Sequence, residues 1–228
     1  MDLDITIDFD GTVTLGDTTD LILERFAAPK WREVEAEWVA GRVGSRECLA
    51  RQAALLSASP DEIDTTLDTV ETDLSFPHFV REARALGATT KIVSDGFDRF
   101  IEPILARIGV KIPLVCNRLI SEGPRSWRAE FPNSSDDCRS ESGVCKCATA
   151  SDGKFRLLIG DGRSDFCLAQ ESDLVFAKGK LVEFCREQKI PFRPIASFRD
   201  ARVYMRELFQ LLARGAPANT AFEQVQRA

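Results

Sequence analysis

The sequence has no long hydrophobic run, and this absence sets the first limit on what the protein can be. No apolar segment approaches the roughly 18 residues that a membrane-spanning helix needs. The N-terminal segment MDLDITIDFDG also lacks the basic and apolar regions of a secretory signal. We therefore expect a cytoplasmic protein with no membrane partner.

The chain also has no excess of positive charge. Its 228 residues include 30 Lys and Arg against 36 Asp and Glu, a formal net charge of -6, and the two signs are interspersed. This balance argues against a nucleic-acid backbone as the partner.

Paired Cys-x-x-Cys units are missing, although the sequence contains seven cysteines. An odd number in a chain large enough to fold without bridges favours reduced thiols. Cys138, Cys145 and Cys147 share one irregular segment, so a structural zinc site stays an alternative to free thiols there.

Strand and helix patterns alternate through most of the chain. β-forming runs predict strands at 3–9, 89–94, 113–116, 155–159, 174–176 and 192–195. Helical spacing predicts helices at 77–87, 97–108, 165–171, 179–188 and 197–213. This alternation indicates a parallel sheet with helices on both faces. Regularity is lost between residues 117 and 144, which predicts a long loop or a small hairpin.

A second pattern occupies the segment from residue 17 to about residue 70. Apolar residues recur there at three or four positions, with breaks at Pro29, at 41–44 and at Ser59-Pro60. About four helices are therefore expected as an insertion after the first strand. The sequence predicts an α/β protein: a Rossmann-like parallel-sheet core (1–15 and 76–228) with an inserted helical-bundle cap (16–75).

Acidic and hydroxyl residues follow three of the predicted strands. The first strand leads into Asp8 and Asp10, the second into Ser94, and the fourth into Asp161 and Asp165. Parallel α/β sheets bind ligands beyond the carboxyl ends of their strands. These side chains should therefore share one crevice.

Carboxylates gathered in this way repel one another. At about 4 Å a pair repels by roughly 4 kcal/mol at an effective dielectric near 20. A divalent cation would relieve the repulsion, and hard oxygen ligands select Mg²⁺. Asp8 and Asp10 project to the same side of an extended segment, so one can attack as a nucleophile while the other shuttles a proton.

The neighbouring small residues suit a phosphoryl group. Thr12 and Ser94 can donate hydrogen bonds to phosphoryl oxygens, and Gly11 and Gly96 let the backbone approach closely. Positioning and electrostatic stabilisation of this kind carry most of phosphoryl transfer. The sequence therefore predicts chemistry on a small phosphorylated metabolite.

Together the motifs resemble the haloacid dehalogenase superfamily of phosphatases. They run from Asp8-Phe9-Asp10-Gly11-Thr12 through Ser94 to Gly160-Asp161-Gly162-Arg163-Ser164-Asp165. The resemblance implies that Asp8 forms a phospho-aspartyl intermediate and that Asp10 acts as general acid and then base. It also implies that Mg²⁺ is held by Asp8, the backbone carbonyl of Asp10 and Asp161, with Asp165 as a supporting carboxylate.

The same resemblance requires a lysine beside the nucleophile. Lys146 is the expected residue because it precedes the strand that leads to the last motif, and Lys154 and Lys178 are its rivals.

Within the superfamily, a helical cap in this position is similar to the phosphoserine phosphatase branch. Asp17 and Arg51 fall where cap residues of that branch contact the substrate. The segments Cys116-Asn117, 127–132 and 143–146 most resemble the phosphatase family of methionine salvage.

The motif Ser94-Asp95-Gly96 departs from these families, since Asp95 stands where a glycine is common. We expect Asp95 and Gly96 at the substrate mouth. Phosphoserine, phosphocholine, phosphoethanolamine and pyridoxal phosphate stay open as substrates, as do a phosphotransferase reaction and a non-catalytic role. Monomer and homodimer both stay open.

Overall fold

The computed structural model describes residues 3–149, 155–215 and 220, and its centre is a seven-stranded sheet. The strand order is β4-β3-β2-β1-β5-β6-β7. All neighbouring pairs are parallel except β3 and β4. The strands are β1 (Leu3–Ile7), β2 (Thr89–Phe97), β3 (Leu114–Ser121), β4 (Trp127–Glu130), β5 (Phe155–Gly160), β6 (Leu174–Ala177) and β7 (Phe192–Pro194). The predicted α/β fold with a parallel sheet is confirmed.

Helices connect the parallel strands, as the alternating pattern predicts. They are α5 (Phe76–Ala85), α6 (Asp98–Arg107), α7 (Phe166–Ala169), α8 (Gly179–Gln188) and α9 (Phe198–Ala213). Each long helix turns an apolar face to the sheet, which buries Phe79 of α5, Ile104 of α6 and Leu208 of α9. Among the residues described, no helix is long and apolar enough to cross a membrane.

Four further helices lie between β1 and α5. They are α1 (Thr18–Phe26), α2 (Trp31–Val39), α3 (Ser45–Leu55) and α4 (Pro60–Leu67). Local signals start two of them: the Asp17 carboxylate accepts a hydrogen bond from the backbone N–H of Asp20, and Ser59 forms a capping box with Glu62. This segment therefore forms four helices, as its apolar spacing predicts.

The strand predicted at 113–116 is too short. β3 runs on to Ser121 and pairs antiparallel with β4, where Ser121 faces Trp127. The buried Trp127 donates a hydrogen bond from Nε1 to the Ala58 carbonyl oxygen at 2.8 Å, which ties this hairpin to the segment before α4. Of the two alternatives for the irregular region, its first part is thus a hairpin.

The strand predicted to end at Ser94 also continues, to Phe97. Its register with β3 shifts between Val93 and Phe97. Such an irregularity bends a strand and re-aims its side chains. Ser94 and Gly96 lie within this stretch, at the carboxyl edge of the sheet.

Candidate active site

Three adjacent strands deliver the motifs to one edge of the sheet. Asp8 lies just past the end of β1, Ser94 lies in the last part of β2, and Asp161 follows β5. Because β2, β1 and β5 are neighbours and parallel, their carboxyl ends meet at the same place.

Lys146 joins two of the carboxylates. Its Nζ donates to Asp8 Oδ1 at 2.6 Å and to Asp165 Oδ1 at 2.6 Å. The Ser164 hydroxyl is a third contact, 3.1 Å from Nζ. The lysine is only 3% exposed, so its charge acts on these groups with little screening by water.

The rival lysines are placed differently. Lys178 Nζ donates to the backbone carbonyl oxygen of Thr12 at 3.4 Å. Lys154 lies outside the described residues. Lys146 is therefore the lysine that the structure brings into contact with Asp8.

The acidic cluster leaves oxygens available for a cation. Asp8, Asp161 and Asp165 each offer an oxygen within 4.8 Å of the others. The remaining oxygen of Asp165 accepts from the backbone N–H groups of Asp161, at 3.1 Å, and Gly162, at 3.3 Å. Since Asp165 is engaged through both oxygens, Asp8 and Asp161 are the better direct ligands, and their hard oxygens suit Mg²⁺.

The titration of these groups reflects their crowding. Burial raises the pKa of Asp8 well above its usual range, and the charge of Asp165 adds to the effect while Lys146 opposes it. Burial and Asp165 raise the pKa of Asp161 to about 6. The single positive charge of Lys146 therefore does not neutralise the cluster. The negative charge that remains would stabilise a bound divalent cation.

Asp10 is held by the first residue of α1. Its Oδ1 accepts from the Thr18 backbone N–H at 2.8 Å and from the Thr18 hydroxyl at 2.6 Å. Burial and the nearby charge of Asp17 raise the pKa of Asp10 to about 7, although the Thr18 hydrogen bonds lower it. A carboxyl group with such a pKa can exchange a proton near neutral pH.

Two glycines allow the close packing of these carboxylates. A Cβ on Gly96 would lie 2.7 Å from Asp10 Oδ2. A Cβ on Gly11 would lie 2.4 Å from Asp161 Oδ2, and Gly11 has a φ of +72° that L-residues rarely adopt. Both motif glycines are therefore required by space at the site.

The predicted hydroxyl groups lie beside the carboxylates. Thr12 Oγ1 donates to Asp161 Oδ1 at 3.4 Å, and Thr12 is fully buried. The Ser94 hydroxyl accepts from the Gly96 backbone N–H at 3.0 Å and is also buried.

Asp95 connects three parts of the molecule. Its Oδ2 accepts from the Ser45 hydroxyl at 2.5 Å, at the start of α3, and its Oδ1 accepts from the Val144 backbone N–H at 2.7 Å. Its carbonyl oxygen accepts from Asn117 Nδ2 at 2.6 Å. Both carboxylate oxygens thus bind the protein, and Asp95 positions the segment that leads into Lys146.

The two cap residues suggested by the sequence differ in placement. Asp17 is exposed at the start of α1 and lies close enough to Asp10 for its charge to raise the pKa of that carboxyl group. Arg51 forms ion pairs with Glu37, at 2.6 Å, and Glu47, at 3.3 Å, on the surface of α2 and α3.

Three residues that contact the site were not predicted. Besides Thr18 and Ser45, the guanidinium of Arg163 donates to the carbonyl oxygens of Trp38, at 3.1 Å, and Val39, at 3.0 Å, at the end of α2. These contacts join α1, α2 and α3 to the motifs. The sequence marks these residues only by their positions: Thr18 and Ser45 each begin a helix, and Arg163 lies inside the last motif.

The comparisons with known proteins agree with this geometry. The haloacid dehalogenase-like hydrolase family matches residues 5–170. A "2-hydroxy-3-keto-5-methylthiopentenyl-1-phosphate phosphatase" of Geobacillus thermodenitrificans is 31% identical over 208 residues, which cover 88% of this chain and 94% of the relative. A phosphatase of the same name from an Exiguobacterium species is 29% identical over 213 residues, or 90% of this chain and 98% of the relative.

Solved structures show the same fold. A phosphoserine phosphatase carrying a phospho-aspartyl intermediate analogue aligns with a TM-score of 0.64 and 18% identity, covering 88% of this chain and 97% of that chain. A substrate-bound phosphoserine phosphatase aligns with a TM-score of 0.59 and 19% identity, covering 79% and 89%. The chain therefore belongs to the haloacid dehalogenase-like hydrolases, and it is a phosphatase of that family.

Proposed function

We propose that this phosphatase is magnesium-dependent and hydrolyses a small phosphate monoester through a phospho-aspartyl intermediate on Asp8. The observation that carries the proposal is the position of Lys146, which donates at 2.6 Å to both Asp8 and Asp165 while Asp161 completes the acidic cluster. A cation fixed beside a buried carboxylate neutralises charge where a phosphoryl group must approach.

In the first step, the Asp8 carboxylate attacks phosphorus and the bond to the leaving oxygen breaks. Asp10 gives its proton to that oxygen, for which a pKa of about 7 is suitable. In the second step, Asp10 takes a proton from water while the water oxygen attacks phosphorus, so that the bond between phosphorus and Asp8 breaks, phosphate leaves and the Asp8 carboxylate is regenerated. The hydroxyl groups of Thr12 and Ser94 orient the phosphoryl oxygens.

Magnesium fits the donor set of the site. Asp8, Asp161 and the backbone carbonyl of Asp10 would hold it, and Asp165 would keep Lys146 and the Asp161 backbone in place. When bound, Mg²⁺ supplies positive charge to the phosphoryl oxygens and offsets the repulsion among the carboxylates.

We further propose that the segment 16–75, with helices α1–α4, works as a cap on a core formed by 1–15 and 76–228. The hydrogen bonds from Thr18 to Asp10 and from Ser45 to Asp95 would couple the position of the cap to the positions of these two carboxylates. Closure would exclude water while the phosphoryl group moves to Asp8.

The favoured substrate is 2-hydroxy-3-keto-5-methylthiopentenyl-1-phosphate. Relatives with that name align over nearly the whole chain. The ion pairs of Arg51 with Glu37 and Glu47 also leave this arginine occupied, so it is not poised for a substrate carboxylate such as that of phosphoserine. Phosphocholine, phosphoethanolamine and pyridoxal phosphate are the alternatives to test.

The test is phosphate release from this panel of phosphomonoesters, with Mg²⁺ and with a chelator. Wild type is compared with Asp8→Asn and with Asp61→Asn, a matched change at an exposed residue of α4. We expect Mg²⁺-dependent turnover in wild type and Asp61→Asn, and none in Asp8→Asn.

Turnover that survives in Asp8→Asn would exclude the covalent mechanism. Turnover of phosphoserine above all other substrates would reassign the substrate. Phosphate release that is suppressed by added alcohols, with phosphorylated alcohol formed instead, would identify a phosphotransferase.

A further inference from the structure

A cavity lined by cysteines lies directly behind the catalytic lysine. Its volume is about 120 Å³, and Lys146 and Ser164 form the wall nearest to Asp8. Four thiols line the cavity together with polar and charged residues: Cys138, Cys145, Cys147 and Cys167. None of them has a role in the phosphatase chemistry proposed above.

The surroundings of Cys138 and Cys145 shift the pKa values of the two thiols in opposite directions. Partial burial raises the pKa of the Cys138 thiol, but hydrogen bonds from the backbone N–H groups of Ser142 and Ser140 and from the Cys145 thiol outweigh burial and lower it. Burial raises the pKa of Cys145. A more acidic, half-buried thiol next to a protonated one is the arrangement of an attacking and a resolving cysteine.

Backbone hydrogen bonds fold the segment 133–145, which carries both cysteines, into a compact turn. The Cys145 backbone N–H donates to the Asn133 carbonyl oxygen at 3.0 Å, and the Glu141 backbone N–H donates to the Cys138 carbonyl oxygen at 3.0 Å. Only six residues separate the two cysteines. The chain therefore returns on itself at the cavity, with Cys145 immediately before Lys146.

We propose that Cys138 and Cys145 are a reversible oxidation site, at which a peroxide converts the two thiols into a disulfide that displaces Lys146 and lowers the phosphatase activity. The disulfide itself does not depend on the proposed function. The effect on activity rests on it, because it requires Lys146 to act on Asp8.

The chemistry balances with hydrogen peroxide as the oxidant. The Cys138 thiolate attacks one peroxide oxygen, so an S–O bond forms, the O–O bond breaks and hydroxide leaves as water after taking up a proton. The Cys145 sulfur then attacks the Cys138 sulfur, so the S–S bond forms and the S–O bond breaks. The second hydroxyl leaves as water with the Cys145 proton. Two electrons pass from the two thiols to the peroxide.

The turn also contacts the helices that cover the site. The backbone N–H of Arg46, in the first turn of α3, donates to the Glu141 carbonyl oxygen at 3.1 Å. Gly44 packs against Glu141 so closely that a Cβ there would lie 2.5 Å from the same carbonyl oxygen. The Val144 backbone N–H binds Asp95. A disulfide that tightens this turn thus acts on Lys146 and on α3 together.

The sequence makes the bond easy to map. Trypsin cleaves after Arg128, Arg139, Lys146, Lys154 and Arg163, so each of the four cavity cysteines falls on its own peptide. Cys138 is on 129–139 and Cys145 is on 140–146. The reduced wild-type protein is treated with hydrogen peroxide, blocked with a thiol alkylating agent, digested and examined by mass spectrometry. Phosphate release is measured on the same samples before and after a dithiol reductant.

We expect the linked pair 129–139 and 140–146, together with a loss of activity of about tenfold or more, since small displacements of catalytic groups cost this much or more. The reductant should restore both. Cys138→Ser should form no link and should keep its activity in peroxide. Cys145→Ser should stop at a sulfenic acid on Cys138, which a dimedone probe traps. Cys185→Ser, which removes a buried thiol of α8, should respond as wild type does.

Peptides linked through other cysteines, or no link at all, would overturn the site. The correct link with unchanged activity would overturn the coupling to Lys146. Absence of phosphatase activity in the fully reduced protein would instead contradict the proposed function, and the peptide map would still decide the oxidation site.

Discussion

At the scale of single residues, the candidate active site contains a buried lysine shared by two carboxylates. Lys146 Nζ lies 2.6 Å from oxygens of both Asp8 and Asp165. Its own pKa is raised, because the attraction of Asp165 and Asp8 exceeds the opposing effect of burial. The lysine is therefore charged at neutral pH.

Lys146→Met removes this charge and keeps much of the side-chain volume. We expect kcat to fall by about a hundredfold or more, the usual cost of removing one electrostatic stabiliser of a transition state. Lys178→Met is the matched comparison, because the Lys178 amine donates to the Thr12 backbone carbonyl at 3.4 Å and its charge lowers the pKa of Asp161, while Lys146 donates directly to Asp8. A larger loss in Lys178→Met than in Lys146→Met would reverse the assignment of the two lysines.

Asp10→Asn tests the proton transfer separately from the attack. An asparagine can still accept from Thr18 but cannot protonate a leaving oxygen. With an alkyl phosphate we expect a loss of about a hundredfold or more in kcat, the contribution typical of a general acid. With a nitrophenyl phosphate the fall in the rate of the first step should be much smaller, because that leaving group needs little protonation. Equal losses with both substrates would contradict the general-acid role.

At the scale of elements, α9 packs against α5 as well as against the sheet. The Phe198 ring packs against Phe76 and Phe79, with centroids 4.9 Å and 5.2 Å apart. Next to this apolar contact, Glu82 of α5 accepts from Arg202 at 2.9 Å and from Arg206. The hydrogen bond from Arg206 is the main reason that the pKa of Glu82 is lowered, and Arg202 adds to it.

Glu82→Gln should therefore lower the free energy of unfolding in a pH-dependent way. The pKa of Glu82 is lower in the folded state than in the unfolded state, where it is about 4.3. Glu82 therefore stabilises the fold at pH values above about 4.3, and this stabilisation is lost as the pH falls through the lower pKa of the folded state. Near pH 7 we expect a difference of about 0.5–1 kcal/mol from wild type in urea unfolding, which shrinks in acid. The exposed Glu187 on α8 supplies the control, since Glu187→Gln should show no such pH dependence. A difference that grows in acid would contradict the ion pairs.

At the scale of the whole molecule, local pattern predicts the sheet well because each strand and helix carries its own periodicity. The turn motifs then place Asp8, Ser94 and Asp161 together, since parallel strands present their carboxyl ends at one edge. For the β3–β4 hairpin, the sequence offers a hairpin only as an alternative to a long loop and does not give its bounds, because its short second strand is held by a distant contact, from Trp127 to Ala58.

Contacts between the helices α1–α3 and the motifs escape prediction for a related reason. Thr18 and Ser45 are ordinary helix-terminal residues in the sequence, and only tertiary packing brings their hydroxyls to Asp10 and Asp95. Asp95 shows the same effect. As a sequence feature it suggests a residue at the substrate mouth, whereas its carboxylate binds Ser45 and Val144.

The acidic cluster gives a prediction for the stability of the whole fold. Mg²⁺ at 100 times its Kd should stabilise wild type by about 2.7 kcal/mol, or roughly 5–10 °C in Tm for a protein of this size. Asp161→Asn should lose this shift. Without metal it should be at least as stable as wild type, because it relieves the repulsion that raises the pKa of Asp161 to about 6. Thermal unfolding with Mg²⁺ and after chelation measures both effects, and Asp61→Asn should behave as wild type. An unchanged Mg²⁺ shift in Asp161→Asn would place the metal elsewhere, because a ligand stabilises the fold only through the site that binds it.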